Sequence, residues 1–191
     1  MRRRTFDSLL TAGGLVTTIV LAVAGVLLFV GYNFATSNVR SQLSQQHITM
    51  PAGPAIADPA IKPYLSKYAG QQMTNGAQAE AYANHFIAVH LKEVAGGKTY
   101  SEVSTLSRLN PEDATLQGQV QTLFRGETLR GLLLNAYAFW KVGQIALIAG
   151  IGAFAAAGVM ALLTILGFWH LRRVSPTEEF LATPMEVSRV A

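Results

Sequence analysis

Cysteine is absent from the chain, which excludes a disulfide framework, a thiolate metal site and a cysteine nucleophile. Charge is scarce as well: Asp, Glu, Lys and Arg make up 14% of the 191 residues, while half are apolar. A mean hydropathy of +0.29 is high for a soluble domain of this length. The deficit is local. No charged residue occurs from Leu9 to Tyr32 or from Val142 to Trp169. Without an ionisable group inside them, these runs offer no proton relay, ion pathway or transport route. Proline is missing from Glu112 to Ser175, so nothing there forbids an unbroken helix. No segment alternates polar and apolar residues well enough to demand a sheet.

What is present begins with the two uncharged runs. Crossing the hydrocarbon core takes about 20 apolar residues, and both runs suffice. Arg2, Arg3 and Arg4 precede the first, and His170, Arg172 and Arg173 close the second. Lys and Arg near span ends mark the cytoplasmic side, so both termini are expected inside. Tyr32, Tyr137, Trp140 and Trp169 fall where amphipathic rings prefer the interface. A secretory signal peptide would have a shorter apolar core and an A-x-A-like exit. Tyr32-Asn33-Phe34-Ala35-Thr36 has no such exit, and the first run reads as an uncleaved anchor. The expected layout is a cytoplasmic N-terminus (1–8), a first span (9–32), an extracytoplasmic domain (33–141), a second span (142–171) and a disordered cytoplasmic tail (172–191). The location is the plasma membrane.

The formal charge of +4 sits largely in the arginines that flank the spans. Residues 33–141 hold nine Lys or Arg against seven Asp or Glu. No basic stripe with interleaved aromatics remains for nucleic acid. Small residues recur every fourth position at Gly14, Thr18 and Ala22 and at Ala149, Ala153, Ala157 and Ala161. Such spacing lets membrane helices approach closely. It suits packing of the two spans on each other, or a surface for a partner's helix.

The fold class is mainly helical. The segment from Asn33 to about Gln46 continues the first span outward. Pro51, Pro54, Pro59 and Pro63 with Gly53 read as an extended connector. Thr74-Asn75-Gly76 starts a helix over Ala77–Val94, which Gly96-Gly97 ends. Tyr100–Leu109 carries no assignment. Asn110-Pro111-Glu112-Asp113 predicts another start, with Asn110 as the cap. That last helix runs as a stalk directly into the second span for about 90 Å, with Gly126 or Gly131 as a possible break.

Gln78-Ala79-Glu80-Ala81, His90, the run Gly96-Gly97-Lys98-Thr99-Tyr100-Ser101-Glu102 and Thr128-Leu129-Arg130-Gly131-Leu132-Leu133 form a further pattern. Together they resemble a group of actinobacterial two-span membrane proteins of unknown function. The resemblance covers about residues 48–158 and implies an extracytoplasmic helical domain. Members often carry the label "aromatic ring-opening dioxygenase". A non-haem iron oxygenase needs two histidines and a carboxylate on one face. His85 and His90 lie about 140° apart on a helix and do not supply it.

The best metal or acid–base pair is His90 with Glu93, one turn on; an ordinary packed or surface contact is the simpler reading. His47, beside the connector, is the residue that would join them. Gly96-Gly97-Lys98-Thr99 lacks the earlier glycine and preceding strand of a phosphate loop, and reads as a helix end. Ser101, Ser104 and Ser107 lack a nucleophile elbow. Arg125, Glu127 and Arg130 stand just before the second span, where they face solvent, anionic headgroups or a partner. No catalytic set and no cofactor are expected. The functional expectation is a non-catalytic accessory or scaffold subunit, in contact with lipid and with another membrane or envelope protein, and open to homo-oligomerisation. A ligand-binding or sensor protein is the second reading, and a metal-dependent enzyme the third.

Overall fold

A computed structural model of the chain describes residues 3–173. The expected disordered tail lies outside them, apart from its first two residues. The chain divides into two compact units, one of residues up to Val30 together with those from Ala146, the other from Gly31 to Ile145. The described residues are mainly helical, with no strand beyond an isolated bridge between Thr49 and Gln72.

Two long helices contribute to both units: α1, Arg3–Gln45, and a 58-residue helix, Ala114–Leu171. The second is uninterrupted, and neither Gly126 nor Gly131 breaks it.

In the first unit these helices meet along small residues. A Cβ added to Gly14 would lie 2.8 Å from the Thr164 hydroxyl, and one added to Gly25 would lie 3.0 Å from the Phe154 ring. Gly150 lies against Leu28, and Gly167 against Thr11. Within this unit the buried positions of the second helix are Gly150, Ala157 and Thr164, seven residues apart. That is the period of a left-handed supercoil. It runs beside the four-residue series expected there. Ala157 is buried and Ala153 and Ala161 partly so, but Ala149 is exposed. Steps of four drift by about 40° each around a helix, so the series leaves the seam within a few turns. Gly14, Thr18 and Ala22 are all partly buried. Leu9, Leu10, Leu27, Ile148, Ile151 and Leu162 point away from the seam and are more than half exposed.

The second unit holds the core. Between the long helices lie α2 (Lys62–Leu65), α3 (Gly76–Tyr82), a π-helical turn (Ala83–Ile87), α4 (Ala88–Val94) and α5 (Tyr100–Leu109). The long C-terminal helix is therefore α6. The proline-rich stretch is not a simple extended connector. Met50 N–H donates to Gln71 O and Met73 N–H to Ile48 O, both at 2.8 Å, which clasps the two ends of the loop together. Inside the clasp, a 3-10 turn at Gly53–Ile56 and the short α2 bury Ile56, Ile61 and Leu65. Burying each such side chain contributes about 1.5–3 kcal/mol, which the sequence's prolines do not prevent.

The caps explain the remaining boundaries. Asn75 Oδ1 accepts from Gln78 N–H at 3.0 Å and starts α3. At the far end, Gly96 and Gly97 take φ of 57° and 83°. Gly97 N–H donates to Lys92 O and Gly96 N–H to Glu93 O, the paired bonds of a Schellman end. α5 opens on a reciprocal box in which Thr99 and Glu102 cap each other. The start of α6 differs from expectation. Asn110 closes α5, its N–H reaching Leu106 O and Ser107 O, and so is already committed. Asp113 is the cap instead, its Oδ1 accepting from Thr115 and Leu116 N–H at 2.9 and 3.0 Å.

α3 and α4 lean on α6 where glycine permits it. Gly76 lies under Trp140, and Gly126 under Leu91. Gln119 Nε2 donates to Val94 O at 3.0 Å and satisfies a carbonyl at the end of α4.

Candidate functional site

The C-terminal part of α1 places Asn38 and Gln42 one turn apart on one side of the helix, and Gln46 follows just past its end. Facing them in the same unit is the part of α6 that carries Leu129, Leu132, Asn135 and Phe139. A groove of about 440 Å³ lies between the two. Its floor is the buried Val39, Leu43 and Leu133, and its rim the exposed Leu129, Leu132 and Phe139. Leu132 is 65% exposed, although it borders a concave surface that removes others from water. Phe34 meets the Phe139 ring edge-on at 6.3 Å and extends the apolar rim.

No ionisable side chain lines this groove. Its polarity comes from four amides. Gln42 Nε2 donates to Asn38 Oδ1 at 2.7 Å, which leaves the Asn38 amide nitrogen and the Gln42 carbonyl for other partners. Gln46 and Asn135 have no side-chain partner among the described residues. Each amide can both donate and accept. The surface is therefore uncharged, amphiphilic and suited to binding rather than to proton transfer.

The sequence candidates fall elsewhere. His90 Nδ1 lies 2.7 Å from Phe86 O; a carbonyl only accepts, so Nδ1 carries the proton. Its ring also contacts Phe86 at 4.4 Å, and it forms no ion pair with Glu93. His85 stacks flat on Tyr64, ring centroids 3.4 Å apart. The two histidines thus engage different partners, as their spacing suggests. His47 sits past the end of α1 in the left-handed conformation, φ 50°, and is exposed. Among the described residues, no group of three or more His, Asp or Glu is placed to hold a metal. Tyr82, stacked on Phe86, is partly buried, which raises its phenol pKa.

Ser107 is buried, and Ser104 accepts from Arg108. Arg125 is exposed and donates to Gln121. Glu127 pairs with Arg130 at 3.2 Å, the expected one-turn spacing. Arg130 also reaches inward: its Nη2 donates to Asn84 Oδ1 at 3.3 Å, and Asn84 in turn donates to Glu80 at 3.0 Å. That chain ties α6 to the π-helical turn, so Arg130 serves the fold as well as the surface. In the first unit, Asp7 lies 3.6 Å from His170 and 4.0 Å from Arg3.

The groove was not legible in the sequence. Its trace is the four-residue series of amides at Asn38, Gln42 and Gln46, which reads locally as an ordinary polar helix face. No family model, curated protein or solved structure matches the chain.

Proposed function

We propose that the chain is a non-catalytic integral membrane protein. In this reading it crosses the plasma membrane twice, keeps both termini in the cytoplasm, and presents residues 33–141 outside. There it acts as an accessory or scaffold subunit for an envelope or membrane complex. One observation carries the membrane part. In their most apolar windows, α1 and α6 are only 6% and 11% buried. A helix that is apolar because it forms a soluble core would bury most of that window. Here the bulky residues face outward while glycine and threonine fill the seam, the arrangement expected when lipid is the solvent. A signal sequence would account for α1 alone, since α6 is far from the N-terminus. Kinship with the two-span actinobacterial proteins belongs to the same proposal.

The groove supports a second reading, ligand binding by the outer domain. It has the size of small-molecule sites, about 300–1,000 Å³, and a mixed lining of apolar and hydrogen-bonding groups. The two readings are compatible, because a scaffold can carry a ligand. The membrane claim is tested by washing membranes from expressing cells with alkaline carbonate. The protein is expected in the pellet and released only by detergent. Recovery in the soluble wash would contradict it.

A further inference from the structure

We infer that the groove between α1 and α6 binds a membrane lipid whose head is uncharged and bears hydroxyl groups, as in a diacylglycerol or a neutral glycolipid. The inference rests on the membrane reading above and deepens its ligand-binding side.

Charge decides the class of head. An anionic or cationic head entering this groove would lose water and gain no counter-charge, because its lining holds no ionisable side chain. Asn38, Gln42, Gln46 and Asn135 offer instead the paired donors and acceptors that hydroxyls and ester carbonyls use. The apolar half of the groove decides the rest of the ligand. Leu132 and Phe139 are 65% and 41% exposed and edge a floor of buried aliphatic residues. An acyl chain laid over them would remove that surface from water. An uncharged sugar or other small polar molecule would leave it wet.

The source follows from the order of residues along the helices. Asn38 comes six residues after Tyr32, the end of the first apolar run, and Phe139 three before Val142, the start of the second. A lipid of the outer leaflet is then the nearest supply of such a molecule. A soluble ligand would have to arrive from bulk water, and a peptide would bring backbone groups along the whole groove.

The test uses the full chain in vesicles of phosphatidylcholine. A photoactivatable diacylglycerol and a photoactivatable phosphatidylglycerol with the same chains are supplied at equal mole fraction, and labelled peptides are located by mass spectrometry. Peptides spanning 38–46 and 129–139 are expected to take up diacylglycerol at least about fivefold over phosphatidylglycerol, a preference of about 1 kcal/mol. Gln42→Glu and, at an independent position, Asn135→Asp are expected to lower that labelling by a similar factor with an unchanged melting temperature. Equal labelling by both lipids, or labelling that neither variant alters, would overturn the inference. So would an Asn135→Cys protein that forms a disulfide dimer in the same vesicles, since a second copy would then fill the groove. Carbonate extraction of the same vesicles separates the two levels. A retained protein with unselective labelling defeats only the lipid site, whereas an extracted one defeats the membrane reading and this inference with it.

Discussion

At the scale of single residues, glycine has two opposite roles in this chain, and space distinguishes them. Gly118 has no neighbour within 4 Å of where a Cβ would stand. Alanine there reduces the freedom of the unfolded chain without meeting anything, so Gly118→Ala is expected to stabilise by about 0.5–1 kcal/mol. Gly76 is the reverse. A Cβ there would lie 2.5 Å from Trp140 Cβ, an atom fixed close to the backbone of α6. Gly76→Ala is therefore expected to cost about 1–3 kcal/mol by overpacking. Thermal melts of the full protein in one detergent would check both; equal shifts for the two variants would contradict the packing described. Residue chemistry was only partly readable beforehand. Gly96 and Gly97 announced a helix end because left-handed backbone favours glycine. The roles of Gly76 and Gly126 were not readable, because each depends on a side chain far away in sequence. Arg130 likewise showed its one-turn partner Glu127, but not Asn84, 46 residues away.

At the scale of elements, local signals marked most boundaries where the bonds are local, although Asn110, the expected cap of α6, closes α5 and Asp113 caps α6 in its place. Asn75 and the glycine pair bounded the α3–α4 segment, and the absence of proline allowed α6. α5 escaped notice although its Thr99-x-x-Glu102 box is a local signal, because the helix is short and its apolar positions few. That box makes a pH prediction. The backbone N–H of Thr99 donates to the Glu102 carboxylate at 2.7 Å and its hydroxyl at 2.8 Å. These bonds, and then the nearby Lys98 charge, hold the Glu102 pKa below its ordinary 4.5. A carboxyl whose pKa is lowered by folding adds stability above its unfolded pKa and loses it as pH falls through the folded value. The stability difference between the wild type and Glu102→Gln is thus expected to be constant near neutrality and to shrink below about pH 4.5. A gap that stays constant into acid would contradict the capping. The clasp around the proline-rich loop was hidden for another reason. It joins Ile48–Met50 to Gly70–Met73 across some twenty residues, and no local pattern encodes that pairing. The four-residue small series was legible as a packing device, but its phase was not, since only the partner helix selects the seven-residue line through Gly150, Ala157 and Thr164.

At the scale of the whole molecule, the two units place their apolar surface differently. The second unit buries its large apolar side chains, Met50, Ile61, Leu65, Val103 and Leu123 among them, as a water-soluble domain does. The first unit does the opposite and leaves most of its leucines, isoleucines and valines outside. The proposed membrane reading, with lipid around the first unit and water around the second, accounts for that division. The division was legible from hydropathy alone, because a bilayer imposes length and charge rules that each run meets by itself. The groove was not, because it exists only when two helices 90 or so residues apart lie side by side.

The absence of cysteine makes the most direct measurement simple, since one substitution supplies the only thiol. Ser101→Cys between the two long helices, and Thr5→Cys and Ser188→Cys near the two ends, are expressed separately and treated on intact cells with a maleimide that does not cross membranes. With the proposed topology, Ser101→Cys is labelled in intact cells, and Thr5→Cys and Ser188→Cys only after the membrane is opened. Labelling of either terminal variant on intact cells, or protection of Ser101→Cys until lysis, would contradict it.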